Sequence, residues 1–205
     1  MHVTIPGPVG PLEGLLDAAD SPRAAVVFAH PLPSHGGTMH TKAVFQGAKG
    51  LGRIGCAVLR FNFRGAGASE GQFSDGPGEM ADMQAALEFM STRYAGARVW
   101  TAGMSFGAWI AMTIGAADPR VSTLLGIAPP LARYDFEAVA QTAKPKFFIH
   151  GERDELCPLK DMREFYARAA EPKELVVVDA ADHLFDGKVG EVADAIEDLL
   201  GDWAT

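Results

Sequence analysis

The chain has 205 residues, 48% of them hydrophobic and 21% charged, which is enough apolar material for a full core and ordinary for a globular fold. A formal charge of −8 repels phosphate backbones and offers no polybasic patch to an anionic membrane, so neither nucleic acid nor membrane is expected as a partner. Two cysteines, Cys56 and Cys157, lie far apart in no paired spacing, which argues against a disulfide framework.

The first residues, MHVTIPGPVGPLEG, lack the basic-then-apolar pattern of a secretory leader, and no window approaches the ~18 consecutive apolar residues of a membrane span. A cytoplasmic location is the expectation. Residues 2–5 and 11–17 suit antiparallel edge strands. AAVVFA (24–29) is the first of several nearly continuous apolar runs, the pattern of a parallel strand covered on both faces. After it comes HPLPSHGGTMH, with His30, His35 and His40 at five-residue steps, and then a helix. CAVLRFNF (56–63) is the next strand, and the breaker Asp75-Gly76-Pro77-Gly78 precedes a helix over 79–93 with Met80, Met83, Leu87 and Met90 on one stripe. ARVWTAG (97–103) is a strand, and FGAWIAMTIGAA (106–117) is apolar nearly all round, as a buried helix would be. Strands follow at 121–128, 145–151 and 174–180, and a helix over 186–203 aligns Val189, Val192, Ile196, Leu199, Leu200 and Trp203. This alternation predicts an α/β fold: a mostly parallel, doubly wound sheet with helices on both faces. With no repeat, linker or low-complexity tract, one domain is expected over 1–205. Ligands of such sheets bind beyond the carboxyl ends of the strands, so the loops there are where function is sought.

One such loop reads Gly103-Met104-Ser105-Phe106-Gly107 between a strand and the buried helix. This is G-x-S-x-G in the strand–turn–helix context that gives it meaning: a tight turn lifts the serine hydroxyl clear of the sheet, and its flanks must be small. A serine hydroxyl is a weak nucleophile and needs a base, usually histidine steered by a carboxylate. Asp154 follows the 145–151 strand and His183 follows the 174–180 strand, giving the chain order Ser105, Asp154, His183 expected for this turn. Glu152, Glu155 and Asp161 are rival acids, and Asp182 is a loop neighbour of the base. His150, inside its strand, is the rival base and reads more simply as a structural histidine.

His30-Pro31-Leu32, Asn62-Phe63-Arg64-Gly65-Ala66-Gly67-Ala68-Ser69, Gly103–Gly107, Gly151-Glu152-Arg153-Asp154 and Asp182-His183 together resemble the α/β-hydrolases, in particular small lidless serine hydrolases related to the dienelactone-hydrolase group. Two departures stand out: dienelactone hydrolases proper carry a cysteine nucleophile, and many relatives have aspartate where this chain has Asn62. The resemblance implies an α/β-hydrolase fold, a Ser105–His183–Asp154 triad and an oxyanion hole. One oxyanion donor is the amide of Phe106, after the nucleophile, and the other comes from the loop after the first parallel strand. Pro31 and Pro33 have no N–H, which leaves Leu32 between them, the same residue that the family pattern indicates. The three histidines of 30–40 then need no metal: their steps cross prolines and glycines with no acidic ligand between them. His30 braces the loop, His35 lines the site and His40 caps or packs against the next helix.

Only residues 129–144 separate the strand at 121–128 from the next, space for a loop and one short helix. No large cap is expected, so the site is open and suited to short acyl groups. Its walls are drawn from Leu32, Met104, Phe106, Pro130, Leu131, Tyr134, Leu156 and Phe185, with His35, Met104, Tyr134 and Leu156 taken as substrate-binding. The expected activity is hydrolysis of a small-molecule carboxylic ester, with no metal or organic cofactor. A thioesterase, acyltransferase or small peptidase would use the same triad, and a non-catalytic binding module the same fold. A homodimer is compatible with the chain, but no patch in it identifies one.

Overall fold

The computed structural model describes residues 1–203. The first two strands, β1 (His2–Gly7) and β2 (Gly10–Asp17), form an antiparallel hairpin at one edge of an eight-stranded sheet. β3 (Ala24–Ala29), β4 (Ala57–Phe61), β5 (Arg98–Met104), β6 (Val121–Ile127), β7 (Lys146–Gly151) and β8 (Lys173–Val178) run parallel to one another, and the spatial order is β1-β2-β4-β3-β5-β6-β7-β8. β2 pairs antiparallel with β4, so the parallel part is continued by the hairpin.

Every residue of β3, β4 and β7 is buried, which explains their nearly unbroken apolar sequences. The strand period of two divides them between two cores. In β3, Ala24, Val26 and Phe28 face a layer containing α1 (Lys42–Arg53) and α6 (Val189–Leu200), and Ala25, Val27 and Ala29 face the opposite layer. That second layer holds α2 (Pro77–Arg93), α3 (Phe106–Ala117), α4 (Glu137–Gln141) and α5 (Leu159–Arg168). α1 and α6 meet through Gly50, Ala193 and Ile196. α3 buries eight of its twelve residues, in keeping with its apolar sequence.

Two differences from expectation have local causes. α5 buries only Met162 and Phe165, one i,i+3 step, and so leaves no readable stripe in the sequence. α6 begins at Val189 rather than near 186 because Phe185 and Gly187 both have positive φ, which a right-handed helix does not accommodate. The 129–144 segment contributes only the five-residue α4, so among the described residues no cap covers the carboxyl edge of the sheet. Among the described residues, no helix is long and apolar enough to cross a membrane.

Candidate active site

Ser105 stands between β5 and α3 with φ 53° and ψ −122°, a backbone conformation that a non-glycine residue rarely holds. The surroundings enforce it. The Ser105 amide donates to the Ile127 carbonyl of β6 at 2.8 Å, pinning the tip of the turn to the neighbouring strand. A Cβ on Gly103 would strike the Gly107 carbonyl, and one on Gly107 would strike the carbonyls of Ala29 and His30. Both glycines are therefore required by close backbone approach.

The loops after β7 and β8 bring two more groups to this turn. His183 Nε2 lies 2.9 Å from Ser105 Oγ, and its Nδ1 lies 2.8 Å from Asp154 Oδ2. Asp154 and His183 are each 4% exposed. The remaining Asp154 oxygen, Oδ1, accepts the amides of Leu156 at 3.0 Å and Cys157 at 2.8 Å, so the carboxylate is held by its own loop. That loop is laced to the histidine loop: Arg153 N–H donates to the Ala181 carbonyl at 2.8 Å, and Glu152 Oε2 accepts the Ala180 amide at 2.8 Å. Asp182 fixes the far side of His183 by accepting the amides of Leu184 and Asp186. Glu152 and Asp182 are thus structural partners of the loops. His150 stays inside β7, where its Nε2 lies 2.7 Å from the Cys157 carbonyl.

Leu32 and Phe106 both line the cleft that contains Ser105, and neither backbone amide donates to any acceptor among the described residues. Phe106 opens α3, so its N–H has no partner within the helix. Leu32 precedes a single 3-10 turn at Pro33–His35, and its carbonyl accepts the amides of His35 and Gly37, which holds the peptide in place. His30 braces this loop from beneath. Its Nδ1 donates to the Pro31 carbonyl at 2.6 Å and its Nε2 accepts the Phe63 amide at 3.1 Å, so the ring is the neutral Nδ1–H tautomer. Complete burial pushes its pKa down to about 4. The other two histidines diverge from it. His35 lines the cleft, whereas His40 is exposed and does not cap α1, whose N-cap is Thr41.

The cleft has a volume of about 600 Å³ and opens directly over Ser105 and His183. His35, Tyr134 and Leu156 line it, as do Leu32, Phe106 and Pro130. Met104 does not. It is the last residue of β5 and, by strand alternation, points to the α1–α6 side, where it is fully buried. Phe185 is buried in the same core, and Leu131 packs against the opposite one. Arg133 and Leu184 line the cleft without having stood out in the sequence; Glu155, singled out there only as a rival acid, lines it too. Their one shared signal is position: each lies in a loop after the carboxyl end of a strand, and Glu155 and Leu184 directly follow Asp154 and His183. Behind the cleft, Tyr134 stacks on Trp109 with centroids 4.1 Å apart, and Phe106 packs edge-on against both. Cys157 is inert by comparison: its thiol donates to the Pro129 carbonyl, and burial pushes its pKa up to about 11.

Residues 20–140 match the family described as serine aminopeptidase, S33. An uncharacterized protein of Rickettsia prowazekii is 36% identical over 95% of this chain and 86% of its own length. Two solved structures superpose with a TM-score of 0.91. One is an α/β serine hydrolase homologue from Coxiella burnetii, 35% identical, covering 98% of this chain and 97% of its own. The other, from Xanthomonas campestris, is described as an α/β serine hydrolase without lid and is 32% identical, covering 100% of this chain and 96% of its own. The likeness holds at the level of the α/β-hydrolases rather than of the dienelactone-hydrolase group. A strained serine turn, a parallel sheet without a cap and matches over most of the sequence converge: the chain belongs to the serine aminopeptidase S33 family of α/β-hydrolases.

Proposed function

We propose that the chain is a serine hydrolase of small carboxylic esters with short acyl groups, acting through Ser105, His183 and Asp154 and an acyl-enzyme intermediate. The observation that carries this reading is the continuous relay Asp154–His183–Ser105, with contacts of 2.8 and 2.9 Å, set in an open cleft lined by Leu32 and Phe106, whose amides have no acceptor among the described residues. His183 Nε2 takes the Ser105 proton as Oγ attacks the acyl carbon. Asp154 holds the imidazole in the correct tautomer and stabilises its cation. The Leu32 and Phe106 amides receive the charge that develops on the carbonyl oxygen. His183 then passes its proton to the leaving alcohol and activates the water that releases the acid. No metal or cofactor takes part in these steps.

Short acyl groups are favoured because no described residues form a cap over the cleft. Leu156 and Leu184 stand at its mouth 68% and 51% exposed, so a long chain would remain largely in water and gain little from burial. Aminopeptidase action is a second reading, supported by the family match and by Glu155, an exposed carboxylate in the cleft that could meet a substrate ammonium. The test is hydrolysis of p-nitrophenyl esters from two to twelve acyl carbons, beside aminoacyl p-nitroanilides, by the parent and by Ser105→Ala. Turnover of the short esters that vanishes in the variant supports the first reading. A marked preference for the anilides would replace it with the second, and equal rates in both proteins would remove both.

A further inference from the structure

One buried titratable side chain beside the relay has no part in the reaction as written. His150 is fully buried at the end of β7. Its Nε2 lies 2.7 Å from the Cys157 carbonyl oxygen and 3.7 Å from Asp154 Oδ2. A carbonyl only accepts, so the proton of this ring sits on Nε2; Nδ1 has no hydrogen-bond partner among the described residues. Burial pushes the imidazole below the ordinary histidine value. The Cys157 carbonyl and the Asp154 charge act the other way, and His183 nearby adds to the depression. The ring is therefore neutral, and it is a hydrogen-bond donor toward the acid loop alone.

That loop is where Asp154 gets its orientation. The Leu156 and Cys157 amides converge on Oδ1, which leaves Oδ2 to face His183. The turn that aims these amides is tied down at Cys157 from two directions: the thiol donates to the Pro129 carbonyl, and the Cys157 carbonyl accepts from His150. If packing were the only demand, an apolar ring would fill this position without burying an unpaired ring nitrogen. The edge of the ring that is used is the edge that grips the acid loop.

We propose that His150 is a positioning residue for Asp154: its Nε2–H holds the Cys157 carbonyl, fixing the 154–157 turn so that both amides reach Oδ1 and Oδ2 stays aligned with His183. This rests on the reading of Asp154 as the orienting carboxylate. The partial positive charge of the same N–H, 3.7 Å from Oδ2, also favours the carboxylate charge.

The test uses two variants and p-nitrophenyl butyrate. His150→Phe keeps a ring in the site and removes the donor, whereas His150→Gln sets an amide N–H close to where Nε2 stands. His150→Phe is expected to lower kcat about 10- to 100-fold, with KM within about twofold of the parent, and to shift the downfield proton resonance of His183 Nδ1–H. His150→Gln should recover most of the rate and the resonance. A folded His150→Phe with parental kcat and an unmoved resonance overturns the proposal, as does a Gln variant as slow as the Phe variant. A measurement on the parent stands whether or not the Phe variant folds. Its 15N-histidine spectrum should show His150 neutral with the proton on Nε2 throughout the pH range of activity, and an Nδ1–H tautomer or an imidazolium overturns the proposal. Ser105→Ala and Asp154→Asn, assayed alongside, separate the two levels. Their loss of activity beside an unimpaired His150→Phe overturns the role of His150 alone, whereas undiminished activity in them overturns the reading of the whole site.

Discussion

Leu32 allows an unusually clean deletion of a single N–H. Its φ of −53° and ψ of 117° are angles that proline adopts, and the ψ also suits a residue that precedes Pro33. Leu32→Pro therefore removes the amide donor with little change in the backbone path. On the proposed mechanism its kcat falls about 100- to 1000-fold, the usual loss for one oxyanion donor. Leu32→Ala, which trims the side chain and keeps the N–H, stays within a few-fold of the parent. Steady-state kinetics on p-nitrophenyl acetate compares them, and equal rates in the two variants would place the second donor elsewhere. His30 makes a second residue-scale prediction, this one on stability. Its folded pKa of about 4 lies below the unfolded value near ~6.5, so between these limits the unfolded chain binds a proton that the folded chain does not. Stability is full above the upper limit and is lost as pH falls toward the lower one, by on the order of 3 kcal/mol for this group. Protonation would also set an N–H on Nε2 against the Phe63 N–H. Urea denaturation from pH 7.5 to 4 should show this slope, reduced in His30→Gln, and a pH-independent difference between the two proteins would contradict it.

Between the site and the sheet stand loops whose shape depends on buried polar contacts. The loop after β4 carries Phe63, which packs edge-on against both His30 and Phe106, and so it backs the Phe106 side of the cleft. Arg64 ties it to α2: its guanidinium meets both Asp82 oxygens at 2.7–3.2 Å, and the Arg64 amide donates to the same carboxylate. Asn62 does the same on the other side. Its Oδ1 accepts the Met39 amide, and its Nδ2 donates to Glu13. A neutral amide can both donate and accept here, which an ionised aspartate could not. Removing one half of the buried pair leaves an uncompensated guanidinium, so Asp82→Ala should destabilise the protein by about 3–5 kcal/mol. A shift in the urea midpoint corresponding to less than about 1 kcal/mol would show that the pair is not buried in solution. The elements themselves are largely legible in the sequence, because parallel strands with both faces covered write unbroken apolar runs and α3 writes an apolar run twelve residues long. α5 is not legible: two buried side chains do not make a periodic signal.

For the molecule as a whole, the sheet gathers onto one edge residues that the sequence scatters from Pro31 to Leu184. Ser105, Asp154 and His183 can be singled out beforehand because each follows a strand, in a spacing that the chemistry of a serine nucleophile makes meaningful. The walls of the cleft are found that way only in part: Leu32, His35, Phe106, Pro130, Tyr134 and Leu156 line it as expected, whereas Met104, Leu131 and Phe185 do not. Met104 sits next to the serine in sequence, yet strand alternation turns it into the far core, while Arg133 reaches the cleft from a loop after a different strand. Its guanidinium lies over the Tyr134 ring, 5.4 Å from the centroid. Chain neighbourhood singles out the Ser105, Asp154 and His183 positions and part of the walls, and the fold supplies the rest. The most direct test of the account is covalent labelling with a small fluorophosphonate, followed by intact-mass and peptide analysis. One adduct per chain is expected, carried on Ser105, absent in Ser105→Ala and formed far more slowly in His183→Gln. Labelling at another residue, or equal labelling of the parent and Ser105→Ala, would contradict it.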